Sequence, residues 1–589
     1  MNKLIDSFKA IYLRHPFLVV LFISMLLTLP WITIGDFYYK GEPREASLAT
    51  FIMNTGNWIL PAGYADEVGY KPPFMHWIIA LFSLPFGSVN IATARLPSAL
   101  SLIGITLMTF VFLQKRKSTN LAFIASIMLL TSFEMHRWAL ESRVDMLLAF
   151  LMIGALFSLF RWEEKGLKGY PLLIPLFLGG AALVKGPVGI LLPCLVFGIY
   201  LLILQRYSLW KIIVKNVLVA IPAALILLLW YVLAYRQDGS HFITLMYAEN
   251  IGRFLGTDSK VLGIKYDLGH VEPFWYYIPS LITGFVPWSF LLIFSAFSIS
   301  YKTLFKSVRI RPVLQKLPNM DKVTLFSIIT VVIILMFYMI PASKRTVYIM
   351  PAYPFAAYLL VLLYQWAADV KPKLINVVAN IILVLSGLML AIEAFFRFVD
   401  MDKLVTPLFH DVKTAHDMHT FSVAFQHPSV LAVIVWFILL VSLITFISVR
   451  KREKPYSTLF GMLVLFICLQ VFLEGSAYPV FKDSYSSRPF AEKIMAKYDL
   501  KDNTYVINDL RRFPNLYGLN YYTGNHFKNF EIELPSKGYF ITGSTMIDKI
   551  RQQYAGVYTF EVLDQTNDRF NDYNDIMVLY KIIKVEKKQ

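Results

Sequence analysis

Carboxylates and cations recur in short stretches set between long apolar runs. "GEPRE" (41–45) holds Glu42, Arg44 and Glu45, and "ESRVD" (141–145) holds Glu141, Arg143 and Asp145. Isolated cations stand in "YKPP" (Lys71), "VKGP" (Lys185), "NIGRF" (Arg253) and "ASKR" (Lys344, Arg345). Taken singly, each has a bland reading. A basic residue there can be solvated or touch a lipid headgroup. Asp145 opens an apolar helix, where the macrodipole favours an acid by about 0.3–1 kcal/mol. Glu42 can be an exposed first-turn acid, with Pro43 suited to the first helical position. Taken together, cations at membrane depth are costly unless they pair, so several on one face predict an anionic ligand at the interface. A phosphate on a lipid carrier fits that ligand. No metal is expected: "DMD" (400–402) is isolated, and "HDMH" (416–419) has helical spacing but lacks a third ligand.

The elements that must position these residues are membrane helices. The 589-residue chain is 57% hydrophobic and 16% charged, whereas soluble domains are usually about 45–50% apolar. Runs of about 20 apolar residues fall near 16–35, 96–114, 120–136, 144–160, 171–184, 187–205, 212–235, 273–299, 323–341, 347–366, 374–397, 428–449 and 457–479, about thirteen spans. The first run exceeds a typical signal-peptide core and lacks a small-residue cleavage site, so it reads as a retained anchor. The aromatic, proline-led segment 72–87 reads as interfacial. Cys194 and Cys468 lie within apolar runs, which argues against a disulfide framework or a thiolate metal site.

With the N-terminus cytoplasmic, "QKRKS", "RWEEKGLK", "QRYSLWK", 301–316, "KPK" and "RKREK" all become inside loops, and every one is basic. That placement accounts for the net charge of +17 without nucleic acid. The same assignment puts the chemistry-bearing stretches together on the outer face, with a first outer loop of about 36–95. The division expected is a membrane domain over 1–480 and an outer domain over 481–589. In the tail, helical periodicity at 488–498 and 546–554 alternates with β-rich 504–508, 537–542, 557–562 and 576–582, which predicts an α/β layer.

"GEPREA", "GNWILPAG" (56–63), "YKPPFMHW" (70–77), "RLPSAL" (95–100), "ESRVDMLL" (141–148), "ALVKGPVG" (182–189), "AENIGRF" (248–254) and "PASKRTVYIMPAYP" (341–354), in this order, resemble the lipid-linked-sugar glycosyltransferases of the GT-C fold. Within that superfamily the chain is similar to the lipid A aminoarabinose transferases and the protein O-mannosyltransferases. The resemblance runs to about residue 360. It implies an all-α polytopic fold of about thirteen helices with an outer C-terminal α/β domain, a polyprenyl-phosphate sugar as donor, no required cofactor, and lipid A, a protein or a surface glycan as acceptor. It also implies a multi-pass protein of the bacterial inner membrane with a periplasmic C-terminal domain. The family motif Asp-Glu-x-Arg reads Gly41-Glu42-Pro43-Arg44 here. With the leading aspartate absent, Glu42 is the implied first-loop acid and Glu45 its understudy. Asp145 matches the second-loop acid and Lys71 a lysine at the carrier phosphate. Arg44, Arg143, Lys185, Arg253, Lys344 and Arg345 are the remaining candidates for phosphate binding.

The chemistry explains the residue types. Phosphate leaves as the anomeric C–O bond breaks, and cations that take up its growing charge lower the barrier. A hydroxyl acceptor needs a base on the opposite face of the sugar, which gives inversion, whereas a phosphate acceptor needs none. The competing class is a lipid-sugar transporter or flippase, but such proteins usually show paired repeats and broken midplane helices, whereas here the unusual charges gather on one face and a soluble domain follows. The topology has a direct test. A cysteine at Ser118 is expected to react only from the cytoplasm and one at Ser536 only from outside; labelling of both from one side overturns the odd number of spans.

Overall fold

The computed structural model describes residues 11–38, 41–63, 69, 71–247, 270–298, 317–399, 403, 419, 422–450, 454–507, 516–566 and 576–585. Eight helices are long and apolar enough to cross a membrane, and five shorter apolar helices accompany them among the described residues. The protein is a polytopic membrane protein with a small sheet domain at its C-terminal end. The bundle opens with α1 (Pro16–Thr28), α2 (Gly41–Thr55), α3 (Phe74–Ser83), α4 (Ile91–Gln114), α5 (Thr119–Leu130), α6 (Phe133–Ala139), α7 (Val144–Glu164), α8 (Leu173–Lys185), α9 (Val188–Leu204) and α10 (Leu209–Tyr247). It continues with α11 (Tyr277–Gly284), α12 (Phe290–Ser298), α13 (Lys322–Met339), α14 (Tyr353–Val370), α15 (Pro372–Phe398), α16 (Val430–Arg450), α17 (Pro455–Phe472) and α18 (Tyr478–Ser484).

Local chemistry sets the ends that matter for the site. Asn90 begins α4 with a capping box: its side chain accepts from the Thr93 amide at 3.0 Å, and its own amide donates to Thr93 Oγ1 at 3.0 Å. Ser118 and Asp321 cap α5 and α13 in the same manner, accepting from the amides of Leu121 and Thr324. The α8–α9 hairpin turns at Gly186, whose φ of +79° is in the region that favours glycine. Close packing then needs Gly189, because a Cβ there would lie 2.5 Å from the Ala181 carbonyl carbon and 2.6 Å from the Ala182 nitrogen. The sequence "KGPVG" therefore folds the two helices tightly together and leaves Lys185 at the apex.

Several expected spans differ in detail. The run 120–136 is two helices, because Thr131 Oγ1 bonds back to the Ile127 carbonyl at 2.6 Å and Ser132 Oγ to that of Leu129 at 2.8 Å. Such side-chain bonds compete with the ladder and end α5 at the junction. The run 273–299 is likewise divided into α11 and α12 around Pro287, and the run 212–235 lengthens to Tyr247 across a kink at Gly239. The segment 347–366 begins as a 3-10 turn (Thr346–Ala352) containing Pro351 before α14 starts.

The tail contributes α19 (Arg488–Met495), β1 (Thr504–Val506), α20 (Tyr517–Tyr522), β2 (Lys528–Asn529), α21 (Phe530–Glu533), β3 (Lys537–Gly543), α22 (Ile547–Gln553), β4 (Tyr558–Gln565) and β5 (Met577–Lys584). The sheet order is β2-β1-β3-β5-β4, with β1 parallel to both neighbours and β5 antiparallel to β3 and β4. Strand alternation sends Ile541 and Leu579 into a core with Phe490 and Leu519, while Phe540 and Tyr580 enter a second core with Phe530 and Ile550. The expected α/β layer is present, with α20, β2 and α21 as additions.

α20 docks this domain on the membrane bundle. Tyr521 donates to the Val89 carbonyl at 2.9 Å, the Phe37 amide donates to the Tyr522 hydroxyl at 3.1 Å, and Asn525 Nδ2 reaches the Ser47 carbonyl at 3.4 Å. From the tyrosine-rich stretch 511–524, the residues 511–515 lie outside the described ones; Tyr521 and Tyr522 are packed at the junction. A measurement on the hairpin checks the fold. Gly189→Val is expected to lower stability in detergent by roughly 1–3 kcal/mol through overpacking, read as a lower thermal-unfolding midpoint, whereas an unchanged midpoint means the two helices do not touch at this point.

Candidate active site

Two charged groupings meet at one end of the bundle. The first is built on Glu42, which is fully buried. Arg95 of α4, also fully buried, grips it with one edge of its guanidinium: Nε donates to Oε1 at 2.7 Å and Nη2 to Oε2 at 3.1 Å. The Ser142 amide adds a third donor to Oε1 at 3.1 Å. The remaining Arg95 protons hold the turn after α1, through the carbonyls of Gly35 and Asp36 at 2.9 Å, Ile34 at 3.2 Å and Ile32 at 3.3 Å. Glu42 is thus no exposed first-turn acid.

Glu141 lies beside this pair. Tyr38 donates to its Oε1 at 2.5 Å, Arg143 Nε is 3.7 Å from Oε2 and Arg137 Nε is 3.9 Å from Oε1. Burial, with the Glu42 charge next in size, pushes the Glu141 carboxyl above the usual carboxylate range. Lys482 of α18 fills the space over Gly35, where a Cβ would fall 2.8 Å from its Cδ, and it feels the charges of Glu474, Arg95, Glu42 and Glu141.

The second grouping is built on Glu45 and Asp145. Glu45 Oε2 is 2.5 Å from His76 Nε2 of α3, and Oε1 is 3.7 Å from Lys71 Nζ. Burial alone would raise the Glu45 carboxyl, but Lys71, the His76 hydrogen bond and the charges of His76 and Arg44 together hold it well below the usual range. Asp145 pairs directly with Lys185, whose ammonium also sits 3.9 Å from the centre of the Tyr348 ring. Arg143 and Lys71 are the next charges acting on Asp145, and its field reaches Tyr277 and Tyr338. Arg143 stacks on the Trp138 ring at 4.0 Å. Asp145's direct partner is therefore Lys185 from the hairpin apex, and not its sequence neighbour Arg143.

The remaining candidates make other contacts. Lys344 is buried and donates to the carbonyls of Glu272 at 2.9 Å and Ala342 at 3.4 Å, fastening its loop to the 270–272 segment. Arg345 follows it, and its amide donates to Tyr277 Oη at 3.2 Å. Arg253, the "DMD" stretch and His416 to Met418 lie outside the described residues. Among the described residues, no group of three or more His, Cys, Asp or Glu could hold a metal ion. Sequence reasoning missed Arg95 and His76. Both stood inside motifs already singled out, "RLPSAL" and "YKPPFMHW", and an arginine at the head of an apolar run is itself a signal of a paired, built environment.

The fold has a counterpart among known structures. The crystal structure of ArnT from Cupriavidus metallidurans bound to undecaprenyl phosphate superposes with a TM-score of 0.66 at 16% identity, covering 95% of this chain and 97% of that one. The chain shares the fold of that structure. The family described as dolichyl-phosphate-mannose-protein mannosyltransferase matches residues 70–233, a span that includes Lys71, His76, Arg95, Asp145 and Lys185. An undecaprenyl phosphate-α-4-amino-4-deoxy-L-arabinose arabinosyl transferase of Proteus mirabilis is 27% identical over 257 residues, 43% of this chain and 44% of that protein. Its counterpart in Shewanella sediminis is 26% identical over 290 residues, 46% of this chain and 48% of that protein. The chain spans about half the length of these curated relatives, 44% and 48%.

Glu141 gives a test that is independent of activity. With its folded-state value raised, the folded chain holds this proton more tightly than the unfolded one. Its contribution to stability is full below the unfolded value of about 4.3 and is lost as pH rises through the folded value. Glu141→Gln keeps an acceptor for Tyr38 but cannot titrate. Its unfolding midpoint is expected to fall less than that of the unaltered protein as pH is raised from about 4.3; identical slopes would remove Glu141 from the linkage.

Proposed function

We propose that the chain is a membrane glycosyltransferase that moves a sugar from a polyprenyl-phosphate donor to an acceptor on the extracytoplasmic side of a bacterial inner membrane. The observation that carries this reading is the meeting of Glu45 and Asp145 with Lys71, Lys185 and Arg143 at one end of an apolar bundle. The cations suit a phosphate and the carboxylates suit the sugar beside it. Undecaprenyl phosphate is the carrier named for the relatives, so it is the donor lipid we assign. 4-Amino-4-deoxy-L-arabinose and lipid A are the sugar and acceptor to try before protein hydroxyls and surface glycans.

In this mechanism Lys71, Lys185 and Arg143, with Arg44 and Arg345 behind them, hold the donor phosphate as the C1–O bond breaks and the bonding electrons pass to the phosphate oxygen. The acceptor oxygen forms the new bond to C1 from the opposite face. A hydroxyl acceptor passes its proton to Glu45 once the donor phosphate has drawn Lys71 to itself, because a carboxylate held this low by Lys71 and His76 is otherwise a weak base. A phosphate acceptor has no proton to give, and Glu45 then only orients. Asp145 fixes Lys185. Glu42, saturated by three donors, positions the helix that carries Glu45.

Paired substitutions test these roles. Glu45→Gln is expected to lower kcat by roughly 10² to 10⁴ with a hydroxyl acceptor and little change in donor KM. Glu42→Gln is expected instead to cost stability, on the order of 3–5 kcal/mol, because it leaves Arg95 buried without its counter-charge. The assay follows labelled sugar from undecaprenyl-phosphate-linked donor into purified lipid A. Movement of unchanged donor lipid across vesicles without transfer would establish the flippase, and a stable Glu42→Gln that has lost kcat beside an active Glu45→Gln would exchange the two glutamates.

A further inference from the structure

A cleft of about 630 Å³ opens between α1, α4, α7 and α8 at the end of the bundle remote from Asp145. Arg161 follows Asp145 by sixteen residues on α7, which at 1.5 Å per residue places them roughly 24 Å apart, most of a bilayer core. The walls are apolar and aromatic: Phe17 from α1, Met108 and Val111 from α4, Phe157 from α7 and Phe177 from α8. Gly154 lets the Phe177 wall lie close against α7, since a Cβ there would be 2.7 Å from the Phe177 ring. The mouth is charged. Lys115, Arg116, Arg161 and Lys165 surround it with Glu164 as the one carboxylate.

That carboxylate is already used. Arg116 holds Glu164 through two contacts, one of them Nε to Oε1 at 2.8 Å, and stacks on Phe112 at 4.2 Å. Lys115, Arg161 and Lys165 are exposed and have no side-chain partner among the described residues. A rim with three uncompensated cations at the end of an apolar crevice between spanning helices combines the features that recognise an anionic headgroup and its acyl chain, and its volume lies in the usual range for ligand sites. A soluble anion would make no use of the aromatic walls.

We propose that this cleft holds a bilayer phospholipid with an anionic headgroup, in the leaflet opposite the charged centre. The site is separate from the donor site and does not depend on the sugar-transfer reading. The test uses the full chain in phosphatidylcholine nanodiscs carrying a minor amount of phosphatidylglycerol with a photoactivatable acyl chain, and in parallel the same label on phosphatidylcholine. Peptides spanning 107–116 and 154–165 are expected to be labelled by the phosphatidylglycerol and much less by the phosphatidylcholine. The double variant Arg161→Gln with Lys165→Gln is expected to lower that labelling by roughly ten-fold or more, since each cation near a membrane surface contributes about five-fold. Ser158→Trp fills the crevice with the rim intact and is expected to exclude the chain; the charge variant, at exposed positions, stands as the test if the tryptophan is not tolerated. Equal labelling by both lipids, or phosphatidylglycerol labelling that survives the charge variant, overturns the proposal.

Discussion

The pairing of Glu42 with Arg95 is the constraint on which the charged end of the bundle depends. Neither side chain has any exposed surface, so each is tolerable only because the other is there, and every remaining Arg95 proton is spent on the turn that follows α1. One guanidinium therefore ties the turn after α1 and the start of α2 to the head of α4, more than fifty residues on. The Ser142 amide brings in a fourth piece of chain, the loop that delivers Glu141, Arg143 and Asp145. A buried pair of this kind is not by itself a source of net stability, because the desolvation of both ions offsets their attraction. Its effect is on uniqueness: any arrangement that separates the partners leaves an uncompensated charge in an apolar bundle.

From that lock the second grouping follows by helical geometry. Residues three apart on a helix lie on neighbouring faces. With Glu42 turned toward α4, Glu45 is turned toward α3, where His76 and Lys71 meet it. The first outer stretch thus divides its glutamates between two tasks. The C-terminal domain reinforces the same helix from outside, since α20 packs over α2 and Asn525 reaches the Ser47 carbonyl. The membrane helix α18 closes the other side with Lys482 against Gly35. A segment that carries four charged residues beside a bilayer, Lys40, Glu42, Arg44 and Glu45, is held because much of its charge is answered by a named partner.

How much of this could be read from the chain follows from what each signal encodes. Apolar runs are local, and they placed α7, α8, α9, α15 and α16 closely. Breaks made by side-chain bonds, as at Thr131 and Ser132, leave no mark on hydropathy, so the split of α5 from α6 was invisible. Charges out of place identified Lys71, Asp145 and Lys185 as a set. Which charge meets which is a tertiary fact: Arg143 is two residues from Asp145, yet Lys185, forty residues on, is the one in contact. Arg95 was hidden for a related reason. It stood at the edge of an apolar run where snorkelling to the surface is the usual expectation, and only the fold turns it inward.

The placement of Lys185 shows how backbone constraint produces electrostatics. A hairpin between two membrane helices exposes its apex cation to whatever faces it, and the closeness of α8 and α9 at Gly189 fixes the height of that apex against the first turn of α7. There Asp145 sits at a helix N-terminus, where the macrodipole already favours an anion, while the Tyr348 ring covers the ammonium from the other side. The lysine is thus oriented by an acid and a ring before any ligand arrives. On the proposed reading, a donor phosphate beside it would meet a charge whose position has been settled by folding, which is the condition under which electrostatic stabilisation of a leaving group is most effective. Glycine at 189 and carboxylate at 145 act in this sense on one cation, the first through distance and the second through direction.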